Sequence, residues 1–108
     1  MGKFIISVRT NGEYQFNLVA GNGQKILSSE GYSSKAACEN GIASVRKNAQ
    51  DSTNFERKTA SNGKFFFNLK AGNGQVIGTS QMYEGQDGME NGIASVTTNA
   101  PGAETESV

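Results

Sequence analysis

Few residues in this chain are able to do chemistry. It has no histidine, a single cysteine at Cys38, and ten basic side chains against ten acidic ones. Without histidine the usual general base, the usual metal ligand and the standard nucleophilic triads are missing, and most hydrolase chemistries drop out with them. One thiol and no imidazole leave the soft and borderline ligands absent, so no tightly held transition metal is expected, and no cofactor is expected either. As a nucleophile Cys38 competes with Cys38 as a packing residue. Its counterpart in the internal repeat described below is Met89, an apolar space-filler, and burial is the reading adopted. Gly21-Asn22-Gly23 and Gly72-Asn73-Gly74 suggest a phosphate loop, but no third glycine follows at the required place and strand-like residues stand where a helix should begin. Glu39 and Glu90 recur at equivalent positions without a paired acid or base, which fits a solvated helix face. Lys64, Phe65 and Phe66, with Arg57, Lys58 and Lys70, interleave basic and aromatic side chains as single-strand nucleic-acid binders do. At zero net charge that is a minor reading.

The most specific pattern is a polar line. Asn40, Ser44 and Asn48 are spaced by four and recur as Asn91, Ser95 and Asn99. On a helix this spacing places all three on one face, which makes the six residues candidates for binding a ligand in a groove beside each helix. The competing reading is a helix flank bonded to nearby loops, with Asn48 and Asn99 ending the helices.

Positioning any of these residues requires elements, and a repeat defines them. Displaced by 51 positions, Asn11 to Ala49 aligns without a gap on Asn62 to Ala100, sharing FNL, AGNGQ and ENGIASV. Phe4 and Phe55 extend the match upstream. Self-similarity at such a period marks supersecondary units that cannot bury their apolar faces alone, so the two copies must pack on each other. We divide the chain into repeat one, about residues 3–52, and repeat two, about 53–108, within a single domain of 108 residues.

In each copy the first segments alternate with period two. Phe4, Ile6 and Val8, then Tyr14, Phe16 and Leu18, and in the second copy Phe65, Phe67 and Leu69 are expected inward on strands. Asn11-Gly12, Asn22-Gly23, Asn62-Gly63 and Asn73-Gly74 punctuate them as tight hairpin turns, with both turn residues expected at positive φ. A short third strand follows, around Ile26–Ser29 and Ile77–Ser80. From Ser33 to Asn48 the period changes, because Cys38, Ile42 and Val45 form one helical stripe, repeated as Met89, Ile93 and Val96. Ser33 or Ser34 can cap the first helix, and Pro101-Gly102 ends the second. The stripe runs through Asn40-Gly41 and Asn91-Gly92, so the dipeptide that makes turns elsewhere is assigned to helices here. Those glycines let the helices lie close to the sheet, and the extra Gly88 makes the second helix the weaker. Thr53–Thr59 opens the second copy as a strand.

AGNGQ after the second strand, SEGYSSK entering the helix, NGIASV inside it and FERKTASNGKFFFNLKAGNGQVIGTSQMY across the second copy resemble the YegP-like family of small bacterial proteins. The resemblance covers nearly the whole chain. It implies a unit of three strands, a helix and a further strand, doubled into a single sheet with exchanged terminal strands, while single-copy members resemble dimers. The fold class expected is therefore α+β, two tandem β-β-β-α(-β) repeats in one mainly antiparallel sheet with two helices packed on it, pseudo-two-fold symmetric. The family carries no activity over to any residue. The tail Ala103–Val108 departs from the pattern, since Glu104 and Glu106 stand where an apolar anchor for a last strand would be.

The functional expectation is a non-enzymatic binding or structural module. One alternative is a small-molecule binder or small enzyme using the helix flank, and another is a weak single-stranded nucleic-acid binder. The lone cysteine and the absence of a leader-like segment or a long apolar run point to a cytoplasmic protein that needs no membrane, a monomer whose two halves mimic a dimer.

Overall fold

A computed structural model describes residues 2–107. The chain runs through β1 (Lys3–Val8), β2 (Tyr14–Val19), β3 (Lys25–Ser28), α1 (Lys35–Asn48), a 3-10 turn at Ser52–Asn54, β4 (Phe55–Thr59), β5 (Phe65–Lys70), β6 (Val76–Thr79), α2 (Gln86–Asn99) and β7 (Glu104–Ser107). Among the described residues seven strands form one sheet in the order β4-β5-β6-β3-β2-β1-β7. All neighbours are antiparallel except β1 and β7. The expected α+β fold of two assembled repeats is what the chain adopts.

The repeats meet where β3 pairs with β6, Ser28 opposite Thr79. Each helix covers both halves: α1 lies on β2 of its own repeat and on β5 and β6 of the other, and α2 lies on β5 and on β3. One core results. In each half an edge-to-face phenylalanine pair sits under the helix, Phe4–Phe16 at 5.7 Å and Phe55–Phe67 at 5.5 Å between ring centres. A tyrosine stacks on the second ring of each pair, Tyr32 on Phe16 and Tyr83 on Phe67. A Cβ at Gly41 or Gly92 would collide with the hydroxyl of Tyr32 or Tyr83. These two helical glycines are therefore required by packing. Cys38, Ile42 and Val45, with Met89, Ile93 and Val96, are buried as the stripes predict.

Three local expectations need correction. Val8 shares the face of Phe4 and Ile6 but is 56% exposed, because the strand runs on past the covered part of the sheet. The third strands begin and end one residue earlier than expected, and the strand of the second copy starts at Phe55 after the 3-10 turn. The turns also differ in kind: Gly12, Gly23, Gly63 and Gly74 have φ near +85°, while no asparagine has a positive φ. In the second hairpin Gly23 N–H donates to Ala20 O (2.9 Å) and Ala20 N–H to Gln24 O (2.8 Å). This is a three-residue loop closed by a left-handed glycine, so the asparagine stays in ordinary backbone space. Its job is done by the side chain, Asn22 Oδ1 accepting from Gln24 N–H at 3.0 Å, and the same bond recurs at Asn11, Asn62 and Asn73.

The strand that follows each helix joins the opposite half of the sheet from the strands that precede that helix. β4 leaves α1 and pairs with β5, and β7 leaves α2 and pairs with β1. The two crossings are not equivalent. β1 already flanks β2, in the place that β4 takes beside β5, so β7 is displaced to the outer edge and runs parallel to β1. All of β7 is exposed. Polar contacts hold it instead of an apolar anchor: Lys3 Nζ lies 2.6 Å from Glu106 Oε2, and Arg46 Nη2 donates to Ala103 O (2.7 Å) and Thr105 Oγ1 (3.2 Å). The Arg46 guanidinium also sits 5.1 Å above the Phe4 ring.

Candidate ligand cleft

The helix caps differ between the copies. Ser34 Oγ accepts from Ala37 N–H (3.1 Å) at the start of α1, whereas Gly85 leaves α2 without a side-chain cap. The six residues of the polar line then divide. Asn48 Nδ2 donates to Ser44 O (2.8 Å) and Ser44 Oγ (3.1 Å), and Asn99 makes the same two bonds to Ser95. These latches close the last turns. Asn54 Nδ2 reaches Asn48 O and Oδ1, tying the 3-10 turn to the end of α1. Asn48 and Asn99 are thus occupied by the fold, while Asn40 and Asn91 are exposed.

Asn91 and Ser95 line a cleft of about 150 Å³ between α2 and the hairpin turn of the other repeat. The facing wall is Ala20, Asn22, Gln24 and Ile26, and Gln81, Tyr83, Gly88 and Gly92 complete the lining. The left-handed Gly23 and the Asn22 bond to Gln24 N–H hold the turn in place against the helix. Among the described residues nothing charged lines this cleft. It carries four primary carboxamides and a serine hydroxyl, all able to donate or accept without a net charge, with Tyr83 beside them. AGNGQ reads as a turn from the sequence, and that its Asn22 and Gln24 also line a cleft follows from the packing of α2 against it.

The other candidates resolve into structure. Cys38 is fully buried, and burial pushes its thiol above the ordinary range, with Glu39 adding to the effect. Burial likewise raises Tyr32, helped by Cys38 and Glu30. Glu90 grips Arg57 through Nε–Oε2 (2.5 Å) and Nη2–Oε1 (3.0 Å), and these bonds hold its carboxyl below the ordinary range. On the sheet face away from the helices, Glu56 bonds Lys70 Nζ (3.0 Å) and Asn68, with Lys58 4.0 Å away. Lys64 pairs with Glu84 at 3.1 Å. All the cations of the basic and aromatic segment therefore have a carboxylate beside them, and Phe66 is half-buried opposite Lys58. Among the described residues no three of Cys, Asp and Glu cluster as metal ligands, and no helix is long and apolar enough to cross a membrane.

The family description "Domain of unknown function (DUF1508)" matches residues 10–56 and again 60–106. The matched segments each open at the hairpin before β2 or β5 and reach into the strand after the helix. The chain is 55% identical to UPF0339 protein YegP of Shigella flexneri over 91% of its length and 89% of that protein's. It is 50% identical, over 99% and 96%, to the UPF0339 protein in the ptx operon 5′ region of Stutzerimonas stutzeri. The solution NMR structure of yegP from E. coli superposes with a TM-score of 0.93 at 50% identity, covering 98% of this chain and 91% of that one. That of UPF0339 protein SO3888 from Shewanella oneidensis gives 0.93 at 42% identity, with 98% and 90% covered.

Proposed function

The chain belongs to the DUF1508 family, whose relatives' names assign no activity, and from that premise we propose that it is a non-enzymatic binding module that seats a small uncharged ligand in the cleft beside α2. One observation carries the reading: ten residues from both repeats converge on the cleft, and none of them is charged. A charged ligand would lose part of its hydration there and meet no counter-charge, whereas a neutral donor-acceptor group exchanges water for carboxamide partners. The seat belongs to the assembled pair of repeats, because its walls come from repeat one and repeat two. No paired acid and base faces it, which is why the reading is binding and not turnover. The neutralised cations of the open sheet face speak against single-stranded nucleic acid as the ligand. The reading keeps the module monomeric and cytoplasmic, in keeping with its one buried thiol.

The test uses three probes of nearly one shape: acetamide, acetate and acetamidinium. In a titration followed by amide NMR, acetamide should move the signals of Asn22, Gln24, Asn91 and Ser95, and the two ions should leave them in place. Shifts produced equally by all three, or by none, would remove the cleft as a binding site.

A further inference from the structure

Gly88 lines the cleft from the first turn of α2, and its glycine character has no packing cause. A Cβ built there would meet Tyr83 Cδ1 at 3.4 Å, an ordinary contact, and its φ is not left-handed. Gly92, one turn on, is different, since a methyl there would collide with the Tyr83 hydroxyl. An alanine at 88 would be a better helix former than glycine and would fit. The residue at the equivalent place in α1 is in fact Ala37. Carried over by the 51-residue repeat, the ten lining positions of the α2 cleft differ at only two places on the α1 flank: Ala37 for Gly88, and Glu30 for Gln81.

Resting on the binding reading above, we propose that Gly88 is the specificity determinant of the cleft, holding open the space one methyl group would fill, so that the chain takes one carboxamide-bearing ligand, at α2 only. The chemistry of the class follows from the lining. Asn22, Gln24, Gln81 and Asn91 are themselves primary carboxamides, and a carboxamide pairs with another through one N–H donor and one C=O acceptor on each partner, with no charge to compensate. On the α1 flank the Ala37 methyl narrows the equivalent space, and Glu30 offers a carboxylate, which accepts hydrogen bonds but donates none. The duplication has produced two unlike flanks from one pattern.

Two variants test this, with acetamide as the probe and the intact chain as the host. Gly88→Ala should weaken acetamide binding at Asn91 and Ser95 by about tenfold or more, while raising the melting temperature by up to about 5 °C. A purely structural glycine would lose stability on the same change. Conversely, Ala37→Gly with Glu30→Gln should create a second site, seen as acetamide-dependent shifts at Asn40 and Ser44 and a stoichiometry of two. If the unaltered chain binds acetamide at α2 and Gly88→Ala binds it equally well, the determinant is elsewhere and this inference falls while the binding reading stands. The same holds if the unaltered chain already binds at α1. If the unaltered chain shows no shift at Asn91 and Ser95, both fall together.

Discussion

Leu27 and Gly78 occupy equivalent positions in the two repeats, and the side chain of one fills the space that the absence of a side chain leaves at the other. A Cβ on Gly78 would stand 2.7 Å from both Cγ and Cδ2 of Leu27. The pair lies beside the β3–β6 junction, where the pseudo-two-fold axis brings equivalent residues together, and there is room for one leucine and not two. Gly78→Ala should cost about 1–3 kcal/mol, since Leu27 is fully buried and its branch point has to move. Leu27→Ala alone should cost about 2–5 kcal/mol. Combined, the two should cost clearly less than their sum, a coupling of at least about 0.5 kcal/mol in denaturant melts. Additive losses would show that the positions do not compete for one space.

The Asn-Gly dipeptide has two conformations in this protein, and alanine substitution separates them. Asn22→Ala removes the acceptor for Gln24 N–H and should cost about 0.5–1.5 kcal/mol. Asn40 is exposed on α1 and makes no hydrogen bond among the described residues, so Asn40→Ala should be neutral or stabilising by up to about 0.7 kcal/mol. Gly23→Ala should be worse than Asn22→Ala, because the left-handed backbone at φ 86° is the glycine's. Urea melts of the three variants give the order directly.

Residues 1–60 alone should not fold as a monomer. In that fragment β4 has lost β5, β3 has lost β6, and α1 has lost the part of the sheet supplied by the second repeat. Chains below about 70 residues rarely tolerate such a loss of core. Sedimentation and thermal melting should find it unfolded or dimeric, and a cooperative monomer would sink the shared-core account.

A buried hydroxyl in each repeat should prove more costly to remove than an exposed cap. Ser80 Oγ accepts from Phe67 N–H (3.0 Å) and donates to Gln81 O (2.8 Å), as Ser29 does with Phe16 and Glu30. Ser80→Ala leaves a buried backbone donor unpaired and should cost about 1–3 kcal/mol. Ser34→Ala loses an exposed cap bond at the lower end of the range for caps, about 0.5 kcal/mol. Equal costs would mean that water replaces the Ser80 hydroxyl.

The ion pairs give stability a dependence at both ends of the pH scale. Hydrogen bonds from Arg57 hold Glu90 below its ordinary range, and those from Lys70 and Asn68 do the same for Glu56. A carboxylate with a lowered folded value stabilises above its unfolded value and loses that contribution as pH falls, here below pH ~4. Lys3 is raised by its bond to Glu106, so its contribution is complete below the ordinary lysine range and fades as pH rises through the folded value. Carbon chemical shifts of β7 should therefore move toward coil values early at alkaline pH, and Lys3→Met should show no such alkaline step. These groups are exposed, or for Glu56 and Lys70 partly so, and each effect should therefore shrink in high salt.

The sequence alone determined the doubling, the period of β1, β2, β5 and both helices, the burial of Cys38 and the places where the chain turns, because each depends on residues near one another along the chain. Val45 and Val96 could be placed in a core without knowing what they touch. Which partner each segment meets is a different kind of fact. That β7 lies outside β1 follows from β1 already flanking β2, and the tail's polar contacts with Lys3 and Arg46 exist only once β7 is there. That Leu27 faces a glycine follows from the axis passing beside both. The asparagines of the turns were located correctly but given the wrong backbone, since Asn and Gly share one dipeptide and only the closed hairpin shows which of them bears the left-handed angle. Likewise the polar line could be read at Asn91 and Ser95, but Asn22 and Gln24 join them only because α2 packs against the turn of the other repeat, a contact set by how two apolar faces close over one sheet.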